Sequence, residues 1–234
     1  MTSEVSPSDA PKSFDPVWDQ IYQAGGHANR YPWDAVVSFV FRHRPRDKAS
    51  ADTSVVEIGC GTASNLWFAA REGFRVAGID ASAAAISVAK QRFTGDGLEG
   101  DLRVGNFSAL PFDAASFDLA IDRAALTCVG DDIARAAVAE LHRVLRPSGV
   151  AFCNVYSDRH SSRASGHAGS DGITIGISSG TLVGVGQIRF YGRDDLGALF
   201  AEPLWTILSL EHISITSMTD GSDHAEWRLI ARKN

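Results

Sequence analysis

Long apolar runs are missing: no stretch approaches the roughly 20 consecutive apolar residues that a membrane-spanning helix needs. Cysteine is scarce too. The three present (Cys60, Cys128, Cys153) are odd in number and form no Cys-x-x-Cys pair, which argues against a disulfide framework or a zinc site and fits free thiols in a reducing compartment. A basic excess is also absent. Twenty-two lysines and arginines against 28 aspartates and glutamates leave a net charge of −6, which gives no electrostatic footprint for a nucleic-acid backbone. The first residues, Met1 to Pro7, lack the basic region and apolar run of a signal peptide. The expectation is a cytoplasmic protein with neither membrane nor nucleic acid as partner and no metal; the oligomeric state leaves no mark in the sequence.

What is present suits a globular domain: 44% hydrophobic and 21% charged residues in 234. Residues 1–13, polar with two prolines, read as a disordered tail. Helical spacing marks Phe14 to Gln23 and Trp33 to Phe41, a pair predicted to form a helical cap over 14–45. Short apolar runs then alternate with helical patterns: strands at Thr53–Ile58, Arg75–Ile79, Leu102–Val104, Phe117–Asp122 and Val150–Tyr156, and helices at Asn65–Glu72, Ser82–Phe93 and Ile133–Leu145. This alternation predicts an α/β fold, a mostly parallel sheet with helices on both faces. After Tyr156 the character changes. Ser157 to Gly172 reads as a polar loop, Ile173–Ile177 and Thr181–Phe190 as a hairpin around Ser178-Ser179-Gly180, Arg193–Phe200 as a helix, and Leu204–Thr216 and Ala225–Arg232 as two last strands. Nothing divides the chain, so 14–234 is expected to be one domain.

The segment Glu57-Ile58-Gly59-Cys60-Gly61-Thr62 runs from a strand into a glycine-rich turn and a helix, where a ligand can approach backbone that bears no Cβ. Asp80 ends the next strand 19 positions after Gly61, near the spacing of roughly 20 at which an acid meets ribose hydroxyls. Capping the helix that starts near Ser82 is the competing role. A dinucleotide and S-adenosylmethionine both fit this far. Ser64 stands where dinucleotide sites use a small glycine or alanine, and the Glu57 carboxylate suits a cationic amino-acid group better than a pyrophosphate.

The ordered series Glu57-Ile58-Gly59-Cys60-Gly61-Thr62, Gly78-Ile79-Asp80, Asn106 through Leu110-Pro111-Phe112, Phe117 to Asp122, and Leu145-Arg146-Pro147-Ser148-Gly149 resembles the class I S-adenosylmethionine-dependent methyltransferases of small-molecule type. The resemblance covers about residues 53–156. It implies a Rossmann-like seven-stranded sheet whose last strand is antiparallel, with S-adenosyl-L-methionine as cofactor. Carried over, Glu57, Gly59 and Gly61 hold the methionine part, with Cys60 and Asn65 beside them. Asp80 binds the ribose, Ala81 and Ser82 follow it toward the adenine, Asn106 and Phe107 meet the base, and Asp122 with Arg123 closes the site under the sulfonium. Asn106 departs from the family's usual aspartate, though an amide still accepts and donates there. Tyr22 and Arg30, in a stretch similar to the cap of small-molecule members, are expected to cover the cofactor. Asp122-Arg123-Ala124-Ala125-Leu126 is also similar to the thiopurine methyltransferase branch.

On the acceptor side, residues 157–190 are expected to capture substrate. Tyr156, Asp158, Arg159 and Arg163 are the candidate contacts, joined by Arg193 if the acceptor is anionic. His160 is the candidate base, with a solvated loop histidine as the competing reading; the remaining histidines read as surface positions. The chain has no Pro-Pro-aromatic segment after its fourth strand and no Pro-Cys nucleophile, which disfavours base methylation. The expected reaction is methyl transfer to an oxygen or nitrogen of a small-molecule acceptor, a sugar or nucleotide sugar being one guess. A nicotinamide-dependent oxidoreductase and a non-catalytic S-adenosylmethionine-binding protein are the alternatives.

Overall fold

A computed structural model describes residues 14–234; the expected tail at 1–13 lies outside the described residues. Seven strands form the main sheet: β1 (Ser54–Ile58), β2 (Arg75–Asp80), β3 (Asp101–Val104), β4 (Phe117–Arg123), β5 (Leu145–Tyr156), β9 (Trp205–Thr216) and β10 (Asp223–Lys233). Their order is β3-β2-β1-β4-β5-β10-β9, with β10 antiparallel to both of its neighbours and the first five strands parallel. β1 is buried along its whole length, as the continuous Val55-Val56-Glu57-Ile58 run requires of a strand covered on both faces. Val55 looks to one core and Val56 to the other. On the first face lie α2 (Asp34–His43), α3 (Ser64–Arg71) and α4 (Ala83–Gly95), which bury Phe39, Leu66 and Ile86. On the second lie α5 (Asp131–Val144) and α6 (Arg193–Leu199), which bury Leu141 and Leu196. Because strand order reverses between β1 and β4, their carboxyl ends open a crevice.

The segment after Tyr156 departs from its predicted form. A short sheet does exist, from β6 (His167–Ala168), β7 (Ile173–Ile175) and β8 (Ile188–Arg189), but Ile173 pairs with Arg189 and Thr174 with Ile188. Ser178-Ser179-Gly180 is therefore no hairpin turn; residues 176–187 form a long excursion. Its apolar side chains Ile177, Leu182 and Val185 pack with Ile188 and Phe190 into a third core against Trp18 and Tyr156. Burial in that roof replaces strand pairing, and glycines at positive φ (Gly176, Gly180, Gly184, Gly186) let the chain coil over it. The polar loop also carries more structure than expected, with a 3-10 turn at Ser161–Ser165. Among the described residues, no helix is long and apolar enough to cross a membrane.

Candidate cofactor and acceptor site

The crevice holds a cavity of about 510 Å³, within the usual range for a small-ligand pocket. Its floor is the β1–α3 turn, where Gly59 and Gly61 take φ of +57° and +53° and face the cavity. A Cβ on Gly59 would overlap the Cβ of Ala125, and one on Gly61 would lie 2.6 Å from the Tyr22 hydroxyl. Gly59→Ala combines a left-handed backbone with that overlap, so a destabilisation of roughly 2–4 kcal/mol is expected. Denaturant unfolding measures it, and an unchanged midpoint would contradict the geometry.

Asp80 ties two strand ends together. Its Oδ2 accepts the Gly61 N–H at 2.8 Å and its Oδ1 the Ser82 N–H at 2.8 Å. Ser82 rather than Asp80 caps α4, its Oγ accepting the Ala85 N–H at 3.1 Å. Ser82 is fully buried and stands behind the cavity wall. The sequence reading missed Asp19. From α1 (Val17–Gln23), its Oδ1 accepts the Ser82 hydroxyl at 2.6 Å and the Ala84 N–H at 3.2 Å, which clamps the cap onto the start of α4.

Glu57 is 2% exposed. Its Oε1 accepts from Asn65 Nδ2 at 2.7 Å, and Asn65 Oδ1 in turn accepts the Trp33 N–H at 3.0 Å. Glu57 Oε2 is buried without a hydrogen-bond partner among the described residues. Burial pushes its carboxyl up to about 8, against a smaller opposing pull from the Asn65 bond. An orphaned carboxylate oxygen beside a side-chain-free turn calls for a cationic donor. The ammonium of S-adenosylmethionine meets that need, its ribose would meet the free lone pairs of Asp80, and Ala81 and Phe107 line the wall for its adenine. The residues present fit the cofactor.

Of the other sequence candidates, Tyr22, Cys60, Asn65, Arg123 and Tyr156 also line the cavity. Arg30, Asn106, Asp122, Asp158, Arg159 and Arg163 do not. Arg30 is exposed, its guanidinium 5.9 Å over the Tyr31 ring and its carbonyl accepting from Arg92 at 2.9 Å. Asn106 turns its Oδ1 onto Ser108, accepting the N–H and the hydroxyl at 2.9 Å each. Asp122 is fully buried and fastens the turn after β4, accepting the Ala125 and Leu126 N–H groups at 2.8 and 3.1 Å and the Cys153 thiol at 3.2 Å; burial pushes its carboxyl up to about 6. Arg159 and Arg163 are exposed, the latter reaching the Asp158 carbonyl at 3.2 Å, so the expected arginine clamp is not assembled.

His160 is neither a solvated histidine nor a wall of the cavity. It is 2% exposed, and its Nδ1 accepts the Ser162 N–H at 3.1 Å. That bond assigns the proton to Nε2, which lies 3.2 Å from both His224 Nδ1 and Thr181 Oγ1. Burial, with the nearby His224, lowers it to about 4. The native state therefore refuses a proton that the unfolded chain accepts below about 6.5, and stability falls from there to about 4 and then levels. Between pH 7 and pH 5 the wild type is expected to lose more unfolding free energy than His160→Gln; equal losses in guanidinium titrations would refute this.

The polar groups that do face the acceptor end come from β10. Tyr156 pairs in register with Glu226, and His224, Glu226 and Arg228 line the cavity. Arg228 Nε and Nη2 donate to Glu226 Oε1 at 3.0 and 2.9 Å, and His224 Nε2 lies 3.9 Å from Oε2. Burial pushes Glu226 up, but His224 and the charges of Arg123 and Arg228 outweigh it and hold the carboxyl at about 2. Alternation along β10, with Ala225, Trp227 and Leu229 buried, was the signal that 224, 226 and 228 share the other face.

The family model described as a methyltransferase domain matches residues 55–149. The chain is similar to an uncharacterized protein of Haemophilus influenzae, 32% identical over 104 residues, 43% of this chain but only 41% of that protein's length. It is similar to the cypemycin N-terminal methyltransferase of a Streptomyces species, 27% identical over 204 residues, 86% of this chain and 78% of the relative. The crystal structure of the Burkholderia thailandensis 1,6-didemethyltoxoflavin-N1-methyltransferase, with its substrate and S-adenosylhomocysteine bound, shares the fold at a TM-score of 0.69 and 18% identity, covering 99% of this chain and 93% of that one. With the sheet order, these findings identify residues 55–149 as a methyltransferase domain within a Rossmann-like methyltransferase fold, and the orphaned Glu57 beside the glycine turn fits S-adenosylmethionine as the cofactor.

Proposed function

We propose that the chain transfers the methyl group of S-adenosylmethionine to an oxygen or nitrogen of a small-molecule acceptor with an apolar body. The observation that carries this is one cavity with two unlike ends. One end has the orphaned Glu57 oxygen, the bare glycine turn and Asp80. The other has an apolar roof of Trp18, Leu182, Val185 and Ile188 over Tyr156. The cofactor supplies an electrophilic methyl sulfonium. Glu57 and Asp80 fix its position, and the roof excludes water and holds the acceptor in line, where alignment is the larger part of the barrier. Hydroxyls turned toward that roof would go unpaired, at roughly 1–3 kcal/mol each, so an acceptor with an apolar body under the roof and its polar groups toward β10 is the better fit. The relatives' names, an N-terminal methyltransferase and an N1-methyltransferase, support methyl transfer to a small acceptor.

Calorimetric titration with S-adenosylmethionine, S-adenosylhomocysteine and NADH tests the reading. Saturable binding of the first two and none of NADH is expected, followed by transfer of labelled methyl to a member of an acceptor panel. Binding of NADH alone would overturn it. Binding without transfer to any acceptor would favour a non-catalytic cofactor-binding protein.

A further inference from the structure

Arg123, at the end of β4, is half-buried and lines the cavity with its guanidinium 3.9 Å over the Trp33 ring. Among the described residues it has no carboxylate within ion-pair distance. The Glu226 carboxylate is shared: it accepts from Arg228 at 2.9 Å and feels the charge of Arg123 from farther away. Arg228 is paired directly to the glutamate, whereas Arg123 meets its anionic neighbours Glu226 and Asp122 only beyond ion-pair distance, beside a site that also receives a sulfonium. Arg123 hydrogen-bonds the Tyr156 phenol, and its field is felt at the Glu226 carboxyl on the acceptor side as well as at Asp122 and Glu57. A half-buried guanidinium stacked on an aromatic ring is a preorganised seat for a planar oxyanion.

We propose that Arg123 is the specificity-determining residue of the acceptor site, and that the acceptor is an acidic hydroxyl or carboxyl compound with an apolar body, held there as its oxyanion. This rests on the methyltransferase reading above. It fits a second feature of the acceptor strand: His224, the histidine that β10 turns to the cavity, has its Nδ1 engaged in the His160–Thr181 cluster, His160 is buried behind the wall, and His27, the other histidine of the lining, stands exposed on the cap, edge-on to Trp18. An acceptor that has already given its proton to solvent needs no base. Its anionic oxygen forms the bond to the methyl carbon as the carbon–sulfur bond breaks and that electron pair passes to sulfur, so two opposite charges are neutralised in a dry site.

The test uses 4-nitrophenol, whose ionised form absorbs visibly, and benzoate as a carboxylate competitor, with protein saturated by S-adenosylhomocysteine. Bound 4-nitrophenol is expected to ionise at a pH at least one unit below its value in water, a tenfold or larger preference for the anion, and benzoate to displace it. Arg123→Gln should abolish the shift and Arg123→Lys keep part of it, while both retain wild-type affinity for S-adenosylhomocysteine by calorimetry. A purely structural arginine would not move the probe's ionisation. No saturable binding of either probe, an unshifted ionisation, or a shift that survives in Arg123→Gln would overturn the proposal. So would a tenfold loss of S-adenosylhomocysteine affinity in Arg123→Gln, which would assign the guanidinium to the cofactor carboxylate. Failure of the wild type to bind S-adenosylhomocysteine at all would overturn the methyltransferase reading itself.

Discussion

Asp80→Ala is expected to weaken S-adenosylhomocysteine binding roughly 100- to 1,000-fold, from the loss of charged hydrogen bonds worth roughly 1.5–3 kcal/mol each. Both carboxylate oxygens already hold a backbone N–H at 2.8 Å, one in the glycine turn and one at the start of α4. Each oxygen keeps a further lone pair for a ribose hydroxyl. The alanine variant loses the ribose contacts and also frees the glycine turn from α4, so the remaining cofactor contacts lose their alignment. Asp80→Asn separates the two effects, since an amide offers one accepting oxygen and must release either Gly61 or Ser82. Calorimetry on all three proteins, with circular dichroism to confirm the fold, orders them wild type, Asn, Ala. An alanine variant that binds within threefold of wild type would make Asp80 a strut between loops and nothing more.

The glycine turn, Glu57 and Asp80 could be picked out because their chemistry is local, whereas Arg30, Asn106 and Asp122, also read as cofactor contacts, do not line the cavity. A buried apolar strand, a turn that must lack Cβ atoms and an acid at the next strand end are each written within a few residues, and the sheet only brings their ends together. Glu57 could be chosen for the same reason: two residues before Gly59 on a fully buried strand, its carboxylate has nowhere to go but the cavity. At the other end of the cavity only Tyr156 was legible among the expected acceptor contacts. His224, Glu226 and Arg228 reach the cavity only because β10 runs antiparallel and starts where β5 ends. Nothing near residue 226 records that. Proximity in sequence to the end of β5 pointed instead to Asp158, Arg159, His160 and Arg163, but the chain turns at Ser157 and carries the two arginines to the surface and His160 behind the wall. The roof failed for a different reason. An apolar residue at every second or third position reads as a strand, whereas in 176–187 those side chains satisfy a small third core, and the glycines between them serve coiling.

Cofactor binding is expected to release about one proton from Glu57 between pH 6 and pH 8. In the unliganded chain this carboxyl is raised from 4.5 to about 8 by burial, so near neutrality it is protonated, and the incoming ammonium must displace that proton to form its ion pair. The affinity for S-adenosylhomocysteine should therefore rise up to tenfold per pH unit across this range and flatten above about 8. Calorimetry in buffers of different ionisation enthalpy counts the proton directly. Glu57→Gln keeps an oxygen for Asn65 Nδ2 but cannot become anionic, so it should bind roughly 100-fold more weakly at pH 8 with a flat pH profile. The sign for stability is opposite. A folded-state pKa above the unfolded one means that the wild-type carboxyl is favourable below about 4.5 and grows steadily more costly as pH rises to about 8. The unliganded Glu57→Gln protein should then be the more stable of the two at pH 8, by on the order of 3 kcal/mol, and the advantage should vanish near pH 4.5. A flat wild-type profile with no proton released would mean that Oε2 does not meet the cofactor's ammonium. A variant that gained stability yet kept its affinity would mean that the buried carboxylate serves some other partner.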